Sequence, residues 1–216
     1  MILVPELETI LILVPRTASR SIANAVKAAY PQSMMLYRHM EADGVPHGYE
    51  AWPRIGVVRN PVERLWSLYR FLNDVGRKHY APYVEAQRAC VQMNFSDWVV
   101  SNLTVFTNQY DSAGFGRIFP QYTVRHSIPE NRKSQHFYLR PDLGTVIFDF
   151  NNLGNLAARL KVTLPLLNAT DSRPVPPLKT ETIQHIERWF PWDLEATNCN
   201  PWNYHQLYKA PEGDAP

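Results

Sequence analysis

A strand-to-helix junction near the N-terminus decides the fold, and its sequence is Thr9-Ile-Leu-Ile-Leu-Val-Pro-Arg-Thr-Ala-Ser-Arg-Ser-Ile22. The run Thr9–Val14 is rich in leucine and β-branched side chains, which is typical of a strand buried on both faces of a parallel sheet. From about Ser19, apolar residues recur at helical spacing until Pro31 interrupts them. The sequence therefore predicts a buried strand, a short basic loop and a helix.

A second junction of the same kind is Ile55-Gly-Val-Val-Arg-Asn-Pro-Val-Glu-Arg-Leu-Trp-Ser-Leu-Tyr69. Residues Arg54–Val58 predict a short buried strand. Asn60 is a favourable N-cap, and Pro61 suits the first turn of the helix that comes after it. The two junctions thus predict two strands that each lead through a basic segment into a helix.

The remaining pattern alternates strands with helices and then becomes mostly helical. Further predicted strands are Met34–Arg38 and Thr145–Phe150, and further predicted helices are Tyr83–Met93, Phe95–Leu103, Leu153–Leu160 and Thr180–Phe190. Such an order predicts one three-layer α/β domain, with a central parallel sheet flanked by helices. We expect it to occupy residues 1–216, with a core at about residues 9–195 and a C-terminal tail at residues 196–216.

Composition excludes several classes of protein. The chain has 216 residues and a formal net charge of +2, which is too small to indicate bulk nucleic-acid binding. Cys90 and Cys199 are far apart and have no metal-ligand spacing, so a disulfide framework is not expected. The cysteine content therefore favours a reducing compartment. The apolar run Ile10–Val14 is too short to cross a bilayer, and Glu6 and Glu8 stand where a signal peptide would be basic. We therefore expect a soluble cytoplasmic protein that binds neither nucleic acid nor membrane.

Both junctions place arginines and hydroxyl side chains beside the N-terminus of a predicted helix. A helix N-terminus has N–H groups without intrahelical acceptors and a partial positive charge, so it favours phosphate-like anions. The first loop contains no glycine, which excludes a Walker-type G-x-x-x-x-G-K-[ST] loop. An ordinary capped turn would explain either junction by itself. Two of them after buried strands predict a ligand with two separate anionic ends.

Together the junctions resemble those of sulfotransferases that use 3′-phosphoadenosine 5′-phosphosulfate (PAPS). Pro15–Ser21 resembles the family's P-K-[ST]-G-[ST]-[ST]-[SW] loop for the 5′-phosphosulfate, and Val58–Tyr69 its V-R-[ND]-P-x-x-R-x-x-S-x-Y segment for the 3′-phosphate. Fainter similarities occur at Phe95–Trp98, Pro120-Gln121, Thr145–Leu153 and Asn168, so the likeness extends over about residues 9–195. The resemblance implies a P-loop-kinase-like fold, PAPS as sulfuryl donor and adenosine 3′,5′-bisphosphate as product.

The resemblance also implies a set of donor-binding residues. For the 5′-phosphosulfate they are Arg16, Thr17, Ala18, Ser19, Arg20 and Ser21, acting largely through backbone N–H groups. For the 3′-phosphate they are Arg59 and Ser67. The first loop departs from the family pattern at Arg16, which replaces lysine, at Ala18, which replaces glycine, and at Arg20, which replaces a hydroxyl residue. Arginine keeps the charge of lysine but does not readily release a proton, and alanine costs little unless the backbone needs a positive φ.

For catalysis, in-line displacement would build charge on the leaving oxygen, and we expect Arg16 to stabilise it. No metal is required by this scheme. A general base should accept a proton from the acceptor hydroxyl or amine. The first candidate is His39, which follows the second predicted strand at the same sheet edge as both loops; His47 is second, and Glu41 and Glu50 come behind it.

Several assignments stay open at the level of sequence. Arg64 could face the anion or form a structural ion pair, and Arg173 could close over a nucleotide or be merely exposed. Trp98 is expected in the core rather than against adenine. The alternatives to a sulfotransferase are a nucleotide or small-molecule kinase of the P-loop superfamily, and a non-catalytic protein that binds PAPS or its product. The compact length and the loop pattern resemble carbohydrate sulfotransferases more than the larger small-molecule enzymes, so the acceptor is expected to be a glycan, with a small molecule as the alternative. The oligomeric state is undetermined.

Overall fold

The computed structural model describes residues 1–36, 38–76, 90–101, 132–165 and 173–207. Its strands are β1 (Ile2–Val4), β2 (Thr9–Ile12), β3 (Met34–Met35), β4 (Arg54–Val58) and β5 (Val146–Asp149). Its α-helices are α1 (Ser19–Ala29), α2 (Pro61–Gly76), α3 (Phe95–Val100), α4 (His136–Leu139), α5 (Leu153–Leu160), α6 (Thr180–Trp189), α7 (Pro191–Ala196) and α8 (Trp202–Leu207).

These elements form two compact units. The described residues of the first unit are 1–36, 38–59 and 134–165, and those of the second are 60–76, 90–101, 132–133 and 173–207. The first unit contains the whole five-stranded sheet, whereas the described part of the second is helical. The prediction of a single domain over the whole chain stays a prediction.

The sheet has the strand order β3-β1-β2-β4-β5. Strands β2, β4 and β5 are parallel, with Leu11 beside Ile55 and Val58 beside Asp149, while β1 is antiparallel to both β2 and β3. The α/β prediction is therefore confirmed, but the sheet is mixed rather than wholly parallel. Strand β1 was not expected, because three residues are too short to show a hydrophobic period.

One face of the sheet is covered by α1 and α5, which share a buried cluster with the strands. Ile55 and Val57 of β4 belong to this cluster. Gly56 lies between them on the opposite face, since successive residues of a strand alternate in direction. A Cβ atom added at Gly56 would lie 2.1 Å from Leu139 Cδ2, so α4 packs directly on the glycine. This close packing fixes the end of α4 against the middle of β4.

The second unit has its own core, formed by apolar residues of α2, α3 and α6. Trp98 is fully buried there and packs against Tyr69 and Phe95, so the expectation of a core tryptophan is confirmed. Burial raises the pKa of the Cys90 thiol in this core to about 12, with the Trp98 indole N–H acting in the opposite sense. Cys90 is therefore a thiol at neutral pH and fills space.

Most helix and strand boundaries agree with the sequence analysis. The predictions for β4 and α5 are confirmed at both ends, and α3 begins after Asn94, whose side chain accepts a hydrogen bond from Asp97 N at 3.0 Å. Predicted strand Met34–Arg38 is shorter, at Met34–Met35. Most of the predicted helix Tyr83–Met93 lies outside the described residues. Over the part of the chain that the structure describes, no helix has the length and apolar character needed to cross a membrane.

Candidate functional site

The first basic loop, residues 15–18, is a tight turn between β2 and α1. Two of its residues have left-handed backbones, Arg16 with φ 68° and Ala18 with φ 58°. Thr17 is 1% exposed and its hydroxyl donates to Val14 O at 3.0 Å. That hydroxyl proton is used within the loop, so Thr17 would hold an anion through its backbone N–H alone.

The N-terminus of α1 lies directly after this turn. Its first backbone hydrogen bond runs from Ile22 N to Ala18 O, at 3.0 Å. Among the described residues, no side chain caps this end of the helix. The first turn of a helix has N–H groups without intrahelical acceptors, and here these include the N–H groups of Ser19 and Arg20. The helix end therefore has the partial positive charge and the donors that an anion requires.

The second basic segment meets the first at Arg59, one residue beyond β4. Arg59 Nη1 donates to Arg16 O at 3.2 Å, and the guanidinium carbon lies 4.2 Å from the centre of the Phe150 ring. Its main chain is held by the side chain of Gln135: Arg59 N donates to Gln135 Oε1 at 2.9 Å, and Gln135 Nε2 donates to Arg59 O at 2.6 Å. Two arginines from separate junctions thus lie at one edge of the sheet, within the first unit.

His39 lies at the same edge, as the sequence predicted. Its Nδ1 is 2.8 Å from Leu13 O, and a carbonyl can only accept, so Nδ1 carries the proton and Nε2 is the acceptor nitrogen. The pKa of His39 is lowered from 6.5 to about 3, mainly by burial of the ring and in smaller part by the positive charges of the N-terminus, Arg38 and Arg16. His39 is consequently a neutral imidazole at physiological pH.

The other candidate bases have different surroundings. His47 is exposed, and its Nδ1 lies 2.8 Å from Glu50 Oε1. The Glu50 carboxylate also accepts from Gly48 N at 2.7 Å. A hydrogen bond from its own backbone N–H, together with those from His47 and Gly48, holds the pKa of Glu50 below its usual value. This arrangement is a local turn on the surface. Glu41 is buried, with 4% exposure, and borders the ion pair of Arg140 with Asp43.

The second junction differs from the first at its helix N-terminus. Asn60 Oδ1 accepts from Val62 N at 2.9 Å and from Glu63 N at 3.3 Å, so the predicted N-cap is confirmed. These two N–H groups are already satisfied, and the expectation that both helix N-termini offer donors is wrong for α2. The Asn60 side chain occupies the N–H groups that an anion would otherwise use.

Arg64 and Ser67 are buried in the second unit, at 1% and 6% exposure. Arg64 Nη2 donates to Lys133 O, and its guanidinium carbon is 5.9 Å from the centre of the Phe190 ring. These contacts hold the Arg64 side chain within the second unit, and both alternatives for its role stay predictions. Arg59 and Ser67 belong to different units, so the prediction that they share a phosphate stays a prediction.

The structure adds two residues that the sequence analysis missed, Gln135 and Phe150. Both contact Arg59 from distant parts of the chain, and no spacing or motif indicates such pairings. Arg173 is exposed, and its carbonyl accepts from Trp66 Nε1 at 3.2 Å. Pro120-Gln121 and Asn168, which the family resemblance singled out, lie outside the described residues.

Comparisons with known proteins add no relative: no protein-family model matches the chain, and no curated protein or solved structure matches it either. Within the described ranges, His, Cys, Asp and Glu side chains form no group of three or more that could hold a metal ion.

Proposed function

We propose that this protein is a PAPS-dependent sulfotransferase, which transfers a sulfuryl group to a hydroxyl or amine of an acceptor. The observation that carries the proposal is the contact between the two basic segments. Arg59 Nη1 donates to Arg16 O at 3.2 Å beside the N-terminus of α1, which has no side-chain cap among the described residues. Arg16 and Arg59, which are 43 positions apart in sequence, thus lie at one edge of the sheet.

The residues at this edge fit the anionic end of such a donor. The phosphosulfate end needs N–H donors and positive charge, and the backbone N–H groups of residues 17–20 with the Arg16 side chain would supply them. The Arg59 guanidinium is planar and suits a phosphate. When bound, PAPS would supply the activated sulfuryl group; the protein would supply orientation and charge.

His39 is the proposed proton acceptor, and its tautomer suits the task because Nε2 is the acceptor nitrogen. In the absence of ligand its pKa of about 3 makes it a weak base. Part of that lowering comes from the positive charge of Arg16 and Arg38. An anion bound beside Arg16 would offset this repulsion and raise the pKa of His39. His39 would therefore be a better base when the donor is bound.

The first test is calorimetric titration of the protein with adenosine 3′,5′-bisphosphate. Loss of a charged hydrogen bond costs about 1.5–3 kcal/mol, so we expect Arg59→Ala to weaken binding about 10- to 100-fold. The matched control is Arg54→Ala, because Arg54 lies at the other end of β4 and donates to Leu143 O. We expect that variant to bind as the wild type does.

The same titration distinguishes the competing functions. Binding of ATP with magnesium in place of the bisphosphate would favour the kinase, and binding of neither ligand would overturn the proposed nucleotide site. If the bisphosphate binds, turnover of PAPS is then measured for wild type, Arg16→Ala and Arg16→Lys. An enzyme loses turnover in Arg16→Ala and keeps more of it in Arg16→Lys. A non-catalytic binding protein shows no turnover in any of the three and loses only affinity in Arg16→Ala.

A further inference from the structure

The side chain of Gln135 pairs with the peptide of Arg59 as a neighbouring strand would. Arg59 N donates to Oε1 at 2.9 Å, and Nε2 donates to Arg59 O at 2.6 Å, so one primary amide satisfies both the donor and the acceptor of Arg59. The ladder between β4 and β5 ends at Val58 and Asp149, one residue earlier. Gln135 therefore extends the ordered backbone by one residue beyond the last strand pair.

Because Gln135 is buried, breaking its hydrogen bonds to Arg59 would be costly. Gln135 is 0% exposed, and a buried amide that loses its partner cannot turn to water instead. A side chain that carries an acceptor and a donor on the same carbon atom can satisfy both groups of the Arg59 peptide. Leu139 fixes the helix that follows Gln135, because it is fully buried over Gly56. The amide is thus held from the strand side and from the helix side.

The guanidinium of Arg59 is fixed by different contacts. Its Nη1 bonds to Arg16 O, and its carbon lies over the Phe150 ring at 4.2 Å. With the main chain held by Gln135, both ends of the arginine are ordered before any ligand arrives. A preorganised guanidinium loses less conformational freedom when an anion binds.

We propose that Gln135 is a positioning residue, which holds the Arg59 main chain so that its guanidinium is preorganised to bind a phosphate. The inference rests on the proposed function for the identity of the anion. It assigns to a glutamine 76 positions from Arg59 an effect on donor affinity that passes through the backbone.

Two substitutions separate the two hydrogen bonds. Gln135→Met keeps the volume and removes both bonds. Gln135→Glu keeps the acceptor for Arg59 N, but an ionised carboxylate repels Arg59 O; once protonated, its O–H can donate there. The binding defect of Gln135→Glu should consequently diminish as pH falls, whereas that of Gln135→Met should not.

The experiment measures bisphosphate affinity at pH 8 and pH 5.5 for wild type and both variants, each expressed relative to wild type at the same pH. Amide hydrogen exchange at Arg59 is followed without ligand. We expect Gln135→Met to bind about tenfold more weakly at both pH values and to lose protection of the Arg59 amide. Gln135→Glu should retain that protection and recover most of its affinity at pH 5.5. Amides of β2 report whether the sheet of each variant is folded.

Ser134→Ala is the matched control, because the Ser134 hydroxyl accepts from His136 N at 3.2 Å at the start of the same helix. It should leave Arg59 protection and affinity unchanged. The inference is overturned if Gln135→Met binds as wild type, or if the pH dependence of Gln135→Glu matches that of Gln135→Met; the proposed function survives either result. If wild type binds no bisphosphate, the proposed function fails, and the positioning role falls with it even where the Arg59 amide is protected by Gln135.

Discussion

Ala18 occupies a backbone position that favours glycine. Its φ of 58° is left-handed, and it provides the carbonyl that accepts the first hydrogen bond of α1. An L-residue in this conformation costs about 1–2 kcal/mol relative to glycine. Alanine at this position costs little unless the backbone needs a positive φ, and the structure shows that it does.

We therefore expect Ala18→Gly to stabilise the protein. The relief of strain exceeds the extra entropy of glycine in the unfolded chain, about 0.5–1 kcal/mol, and leaves a net gain in the free energy of unfolding of about 0.5–1 kcal/mol. Urea unfolding measures this gain. Ala25→Gly is the control: it lies within α1 with helical backbone, where glycine costs about 1 kcal/mol. Equal losses in the two variants would contradict a left-handed Ala18.

At the residue scale, the sequence predicts those contacts whose partners lie within a few positions along the chain. Asn60 is recognisable as a cap because its partners, Val62 N and Glu63 N, follow within three residues. The left-handed backbone of Ala18 is not recognisable, because alanine usually favours helical dihedrals. Gln135 bonds to a peptide 76 residues away through a side chain, and no local pattern encodes that pairing.

At the scale of elements, β4 shows how a strand and a short helix depend on one glycine. Leu139 of α4 is fully buried, and its Cδ2 atom would lie only 2.1 Å from a Cβ atom added at residue 56. Any side chain at this position must displace α4 or the leucine. Because α4 begins just after Gln135, a shift there would also move the amide that holds Arg59.

We expect Gly56→Ala to lower the free energy of unfolding by about 1–3 kcal/mol, the usual cost of overpacking a well-filled core. Gly154→Ala serves as the comparison, because Gly154 lies in α5 with nothing within 4 Å of an added Cβ. Alanine is the better helix former, so that variant should gain up to about 1 kcal/mol. Chemical denaturation of both variants checks the opposite signs, and a neutral Gly56→Ala would show that Leu139 moves aside freely.

Element prediction succeeded where the hydrophobic pattern was long enough. The periodicity of α5 and the apolar run of β4 gave both boundaries correctly. Strand β1 has only three residues, and its antiparallel pairing depends on the turn at Pro5–Leu7 and on Glu8 with φ 44°. Glu8 reverses the direction of the chain through its left-handed backbone, and a hydrophobic period in the sequence cannot reveal such a reversal. The sheet was therefore expected to be wholly parallel.

At the scale of the whole molecule, local charge matters more than net charge. The chain has a formal net charge of only +2, yet Arg16, Arg38 and Arg59 all lie at one edge of the first unit's sheet. The positive charges of Arg38 and Arg16 act on His39 and lower its pKa. Its titration therefore links the candidate site to the stability of the fold.

The stability of the folded protein should therefore depend on the protonation of His39. The pKa of His39 is about 3 in the folded protein and 6.5 ordinarily, so between these values the unfolded chain binds a proton that the folded chain does not. Protonation then favours unfolding, and the contribution of His39 to stability is present above pH 6.5 and decreases as pH falls toward 3. The slope for one proton is at most about 1.4 kcal/mol per pH unit.

We expect His39→Gln to remove this dependence, because glutamine does not titrate and can still donate to Leu13 O. The measurement is the free energy of opening of β2 and β4, from amide exchange of both proteins between pH 4.5 and 7.5. Titration of carboxylates contributes equally to the two proteins and cancels in their difference. Wild type minus variant should be constant above about pH 7 and decline below pH 6.5. A difference that stays flat, or that grows as pH falls, would mean that folding does not lower the pKa of His39, and it would contradict the burial of a neutral imidazole beside Arg16 and Arg38.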